Sequence, residues 1–231
     1  MNYLQLCQRA GIECGVTGTI STVAGQTGSW GRIVGWVADA WSDIPMEHDD
    51  WDWMRSSQMT GGGASFQTVA GQASYPVDPL TSDNFGKWDT QTFRIYTTSV
   101  GMSSETFLDC IPYDAWRDGY MFGAMRSVQT RPVAIAVGPD QSLNLGPPPS
   151  GLYTVTADFF TGVTDMTVDA DLPIGLPTRF HMLIVYAAMF KYAYYESAPD
   201  VKQRASAEYD PMFRQLEALR LPQIGFSGAL A

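Results

Sequence analysis

The sequence predicts an α+β protein in which terminal helices form a helical bundle and bracket a β-rich central insertion lobe. Two observations carry this. Apolar residues recur at helical spacing at both ends of the chain, and between those ends they alternate with polar residues among Gly, Pro, Asn and Asp. A chain of 231 residues is also long enough to bury its core without disulfide or metal staples. The expected division is 1–53 with 178–221 as the bundle, 54–177 as the β-rich lobe and 222–231 as an extended tail.

The elements follow in order. Residues 3–11 place Tyr3, Leu4, Cys7 and Ala10 on one face, with Gly11 as the expected helix stop. After a loop rich in Gly, Thr and Ser, Trp30, Ile33, Val34, Val37, Trp41 and Ile44 form a helical stripe behind Ser29, a candidate N-cap. Pro45 should kink this helix, yet the apolar phase resumes at Trp51, so a kinked continuation to Trp53 is expected. Residues 65–70 and 73–77 flank Gly71-Gln72 and read as a hairpin. Residues 92–97 read as a strand, 132–137 and 142–145 as a second hairpin, and 152–159 as an alternating strand. Between them, residues 113–121 (YDAWRDGYM) read as a short helical turn. The helical signal returns over 178–197 and 199–220, where Pro199 suits a first turn and Pro211 should kink the middle. The pentapeptide TVAGQ stands at 22–26 and again at 68–72, in contexts different enough to be a recurring turn and not a repeat.

Composition narrows the class of function. Charged residues make up 16% of the chain, against a typical ~25%, and aromatics 13%, with seven Trp. Interface cores share this bias, which suggests a protein built for assembly. With 14 basic and 24 acidic residues the net charge is −10, which excludes a basic nucleic-acid-binding footprint over the whole chain. Eleven of the basic residues are Arg, the better partner for desolvated, bidentate pairing. Cys7, Cys14 and Cys110 form no CxxC pair, so reduced thiols are expected and not a disulfide framework. The longest apolar run, 182–190, is far short of the ~18 residues of a membrane span. The start, MNYLQLCQRAG, lacks the basic and apolar regions of a secretory signal.

A search for chemistry yields little. His48 lies in an acidic run, EHDDWD, where Asp52 at i+4 is its best co-ligand; a metal needs more donors converging on one point. The run reads instead as a solvated acidic helix end with Trp51 and Trp53 turned inward. His181, before an apolar helical stretch, reads as a packed or interface histidine, and Cys110, in FLDCIPY, as a buried inert thiol. Gly61-Gly62-Gly63 lacks the lysine of a phosphate-binding loop and reads as a flexible hairpin tip. No catalytic residue, metal or cofactor is expected. Charge is distributed in blocks: six acids and no base lie between Arg32 and Arg55, and five acids and no base between Pro132 and Thr178. The end of the chain is uncharged and apolar, and Leu221, Pro222, Ile224, Phe226 and Leu230 make it a candidate docking segment.

An ordered series of stretches resembles the head-to-tail adaptor (connector) proteins of tailed bacteriophages. MNYLQLCQRAGIECGVTG is similar to the opening helix and turn of that family, and GSWGRIVGWVADAWSDI with HDDWDWMR to its long helix with an acidic, Trp-rich end. SFQTVAGQASYPVDP resembles its first hairpin, and LPTRFHMLIVYAAMFKYAYYESAPDVKQRASAEYDPMFRQLEA its closing helix pair. The resemblance spans residues 1–221. It implies a non-enzymatic virion protein of the neck, forming a homo-oligomeric ring, typically of twelve copies. The ring would dock on the portal protein after DNA packaging, extend the DNA channel and receive a tail or stopper protein. Asp39, Asp43, Asp49 and Asp50 would then be candidate channel-facing acids, past which DNA slides without specific binding. The docking segment would reach the portal or a neighbouring subunit. Two other classes compete: an enzyme using the His48 cluster, and a receptor- or carbohydrate-binding tail module using exposed, coplanar Trp and Tyr of the β-rich segment as a sugar platform.

Overall fold

A computed structural model describes residues 1–78, 80–81 and 84–222. Among them are five α-helices: α1 (Tyr3–Glu13), α2 (Gly28–Met46), α3 (Tyr113–Tyr120), α4 (Met182–Glu196) and α5 (Pro199–Arg220). Eleven strands lie between α2 and α4 in sequence: β1 (Arg55–Ser56), β2 (Ala64–Gln67), β3 (Ser74–Tyr75), β4 (Phe85–Trp88), β5 (Arg94–Thr97), β6 (Thr106–Phe107), β7 (Asp109–Cys110), β8 (Ala134–Val137), β9 (Leu143–Gly146), β10 (Tyr153–Ala157) and β11 (Phe159–Thr161). The class is therefore mixed α+β, as the two periodicities predict. The chain divides into two compact units, Met1–Met54 with the stretch from Val163 onward, and Arg55–Gly162.

In the first unit, α4 packs against α1, α2 and α5. Leu183, Ile184 and Val185 are consecutive and all fully buried, so α4 is apolar around most of its circumference and not along one stripe. α1 opens on a capping box: Asn2 Oδ1 accepts from Gln5 N at 2.9 Å, and Gln5 Oε1 accepts from Asn2 N at 3.0 Å. It does not stop at Gly11. That glycine is buried inside the helix, where the indole of Trp30 occupies the space a β-carbon would need.

α2 corrects two expectations. Its N-cap is Thr27, without a side-chain bond, and not Ser29. It ends at Met46, one residue beyond Pro45, where Glu47 N closes a tightened turn on Ile44 O at 3.3 Å. The chain then turns and resumes as a single 3-10 turn, Asp52–Met54. Trp51 is fully buried because it stacks on Trp53, 4.4 Å between ring centroids, and not because the helix continues. α5 does run through Pro211 as one helix. The proline and Ala207, whose carbonyl loses its partner, are both exposed, so water can satisfy that carbonyl. The stretch after Val163 also belongs to this unit: Thr164 O accepts from Trp41 Nε1 at 2.8 Å, and Asp169 Oδ1 from Val23 N at 2.6 Å.

The second unit contains three sheets, ordered β1-β11-β4, β2-β10-β5-β6 and β3-β9-β8-β7, antiparallel except for the β7–β8 pair. β10 sits between β2 and β5 with Val155 opposite both Phe66 and Ile95, and the alternating stretch breaks at Asp158 so that β11 enters a different sheet. β8 and β9 form the expected hairpin, with Ile135 opposite Leu145. The hairpin expected about Gly71-Gln72 does not form: β2 pairs with β10, and β3 with β9. Thr68 decides this. Its hydroxyl donates to Gly151 O and accepts from Tyr153 N, both at 2.9 Å, while Gly71 N donates to Pro149 O at 2.8 Å. The turn is thereby fastened to residues 149–153. Gly61-Gly62-Gly63 is not a flexible tip either: a β-carbon at Gly63 would lie 2.9 Å from Ala157 O.

Candidate functional site

The acidic candidates all lie on α2 and the turn that follows it. Asp39 and Asp43 are one helical turn apart and exposed, and Lys191 Nζ on α4 lies 3.9 Å from Asp39 and 2.8 Å from Asp43. One ammonium thus offsets part of the charge of two carboxylates. Asp49 and Asp50 are exposed in the turn. That turn is tied to the last turns of α5: His48 Nε2 meets Glu217 Oε1 at 2.8 Å, and Arg220 Nη1 meets Asp52 Oδ2 at 3.0 Å. The His48 ring also meets Trp51 edge-on at 5.0 Å between centroids. Leu221 N donates to Glu217 O at 3.0 Å, and the Leu221 side chain is partly buried against the first unit's core, while Pro222 is exposed. The structure therefore brings the acidic turn and the start of the docking segment together. Ile224, Phe226 and Leu230 lie outside the described residues.

A second constellation on the same helices has no counterpart in the sequence reading. The Arg32 guanidinium lies 4.4 Å from the centroid of Tyr195, and Lys202 Nζ lies 4.8 Å from that of Tyr194. Trp36 packs against Tyr192 and Tyr195, at 6.1 and 5.7 Å. Tyr194 and Tyr195 nonetheless remain 69% and 56% exposed, so each ring carries a cation without being covered. The signal was present as Arg32 and Trp36 at i, i+4, but α4 had to be placed beside α2 before its tyrosines could join them.

Titratable and nucleophilic groups elsewhere are engaged or isolated. His181 is buried; its Nδ1 accepts from the Met1 amine at 2.7 Å and its Nε2 donates to Leu176 O at 3.0 Å. Burial is the main reason its basicity lies below the usual histidine value, with the nearby amine charge acting in the same direction. Cys110 stands at the end of β7, exposed, which corrects its reading as a buried thiol: β7 is an edge strand, and only Leu108 of this stretch turns into the core. A cleft of about 390 Å³ in the second unit holds Arg55 and Asp158, but both carboxylate oxygens of Asp158 are taken, by Gln58 N at 2.9 Å and Arg55 Nη2 at 3.2 Å. Among the described residues no three His, Cys, Asp or Glu side chains gather to hold a metal. No helix among them is long and apolar enough to cross a membrane.

Comparison with known proteins places these features in context. A family model described as SU10 adaptor protein matches residues 1–228. No curated protein matches the chain.

Proposed function

The chain belongs to the SU10 adaptor protein family, a family of phage head-to-tail adaptors, and from that premise we propose that it is the ring that joins head to tail. Membership makes it a structural component of a virion that contacts other virion proteins, and points away from catalysis. The finer reading is a homo-oligomeric ring of twelve copies at the neck. It docks on the portal protein after DNA packaging, extends the DNA channel and offers a platform to a tail or stopper protein. The family match over nearly the whole chain is the observation that carries this reading. The uncovered Tyr194 and Tyr195, and the exposed Met59, Met102 and Phe107, fit a subunit that buries more surface on assembly. Asp39, Asp43, Asp49 and Asp50 are proposed to face the channel, where repeated carboxylates repel the DNA phosphates. The alternative of a carbohydrate- or receptor-binding module is less well supported, because Trp88 and Trp116, the tryptophans of the second unit, are each only 4% exposed and offer no tryptophan platform.

The docking segment provides the test. Purified full-length protein should bind DNA-filled heads, and a chain lacking residues 222–231 should fold but fail to join them. Full-length protein that does not bind filled heads would contradict the reading. Truncated protein that binds with unchanged affinity would remove the role of the segment.

A further inference from the structure

Gly35 sits in the middle of α2, where glycine weakens a helix by about 1 kcal/mol relative to alanine. Gly31, one turn earlier, has a reason within the subunit: a β-carbon there would come within 2.8 Å of Gln26 O. Gly35 has none, since it is exposed and a β-carbon there would meet no atom within 4 Å. A bare helix surface at such a point admits the close approach of another molecule. Around the notch stand Arg32, Trp36 and Tyr195, with Tyr194 and Lys202 beside them, the residue types that dominate interface energetics. The stacked cations hold the rings in place, which lowers the entropy lost on docking. Among the described residues neither Arg32 nor Lys202 has a carboxylate within ion-pair distance, whereas Asp39 and Asp43, farther along α2, are held by Lys191.

We propose that this Gly35-notched face of α2 and α4 is the docking site for a second copy of this chain. Charge argues for that occupant. Two cations without carboxylate partners, set over aromatic rings, fit an acidic surface, and the chain itself carries 24 acidic against 14 basic residues. The assignment rests on the ring reading: the face receives a different face of its neighbour, the head-to-tail contact that closes a ring.

The test measures thermal unfolding and oligomer mass over a dilution series for wild type, Gly35→Ala and Arg32→Glu. Gly35→Ala should leave the subunit as stable or more so, yet raise the concentration of half-assembly by about tenfold or more. A substitution that strengthens the helix and weakens the assembly cannot be explained by folding. Arg32→Glu should remain folded and weaken assembly similarly, which keeps the test decisive should the alanine variant misfold. Variants that assemble at wild-type concentrations overturn the assignment and leave the ring intact. Variants that form wild-type rings but no longer bind DNA-filled heads give the face to a head protein, which also overturns it. A wild-type chain that never self-associates, alone or with portal protein, overturns ring and docking site together.

Discussion

Cys7 and Cys14 are buried in the first unit, and burial is the main cause that pushes each thiol up to about 12, while Cys110 is exposed on β7. Thiolate fraction and access together govern alkylation. One thiol per native chain should therefore react with a maleimide, and three after denaturation; intact-mass measurement checks this, and Cys110→Ser should abolish the native adduct. His181 sets a pH dependence by the same logic of burial. Its folded basicity lies below its unfolded value of ~6.5, so the unfolded chain binds the proton more readily. Its contribution is fully present above pH ~6.5 and is lost as the pH falls from there toward the folded value. Replacing His181 with Gln should flatten that part of the stability profile, measured by chemical denaturation at successive pH values. His48 is tied to Glu217 and carries no catalytic role in this account, so His48→Ala should affect infectivity only through folding and assembly.

At the scale of the element, the ends of helices were less legible than their existence. Periodicity located α2 by its apolar stripe, and a long apolar run located α4, but Gly11 and Pro45 misled the boundaries for opposite reasons. Gly11 serves close packing against Trp30 and not helix termination, so Gly11→Ala should destabilise the first unit by about 1–3 kcal/mol in denaturant titrations. Pro45 does end its helix, and Trp51 mimics a continued phase by stacking on Trp53. The second unit was legible as strands but not as pairings, because two-residue strands such as β1, β3, β6 and β7 carry almost no period of their own. Pairing there depends on single side chains. Thr68→Val would leave Gly151 O and Tyr153 N without the hydroxyl, costing about 1–3 kcal/mol, and should appear as a lowered melting midpoint. The acidic candidates were visible because they stand in one run. The aromatic and cationic face was not, because it is assembled from α2, α4 and α5.

At the scale of the whole molecule, few charges and uncovered rings fit a subunit that buries more surface against other virion components, the setting its family implies. Repeated around a ring, one carboxylate per subunit becomes a continuous negative collar wherever neighbours lie within a Debye length of ~8–10 Å. Replacing Asp39, Asp43, Asp49 and Asp50 with Asn should therefore slow DNA ejection, followed by fluorescence of the released DNA, without preventing assembly. Ejection at the wild-type rate would place those acids away from the DNA path. The central claim is that this chain acts as a ring on the portal, and native mass measurement of the purified protein, alone and mixed with portal protein, tests it most directly. The account predicts a closed oligomer bound to the portal, its mass a whole multiple of 25.4 kDa with twelve copies added per portal ring. A chain that remains a monomer in both samples would contradict it.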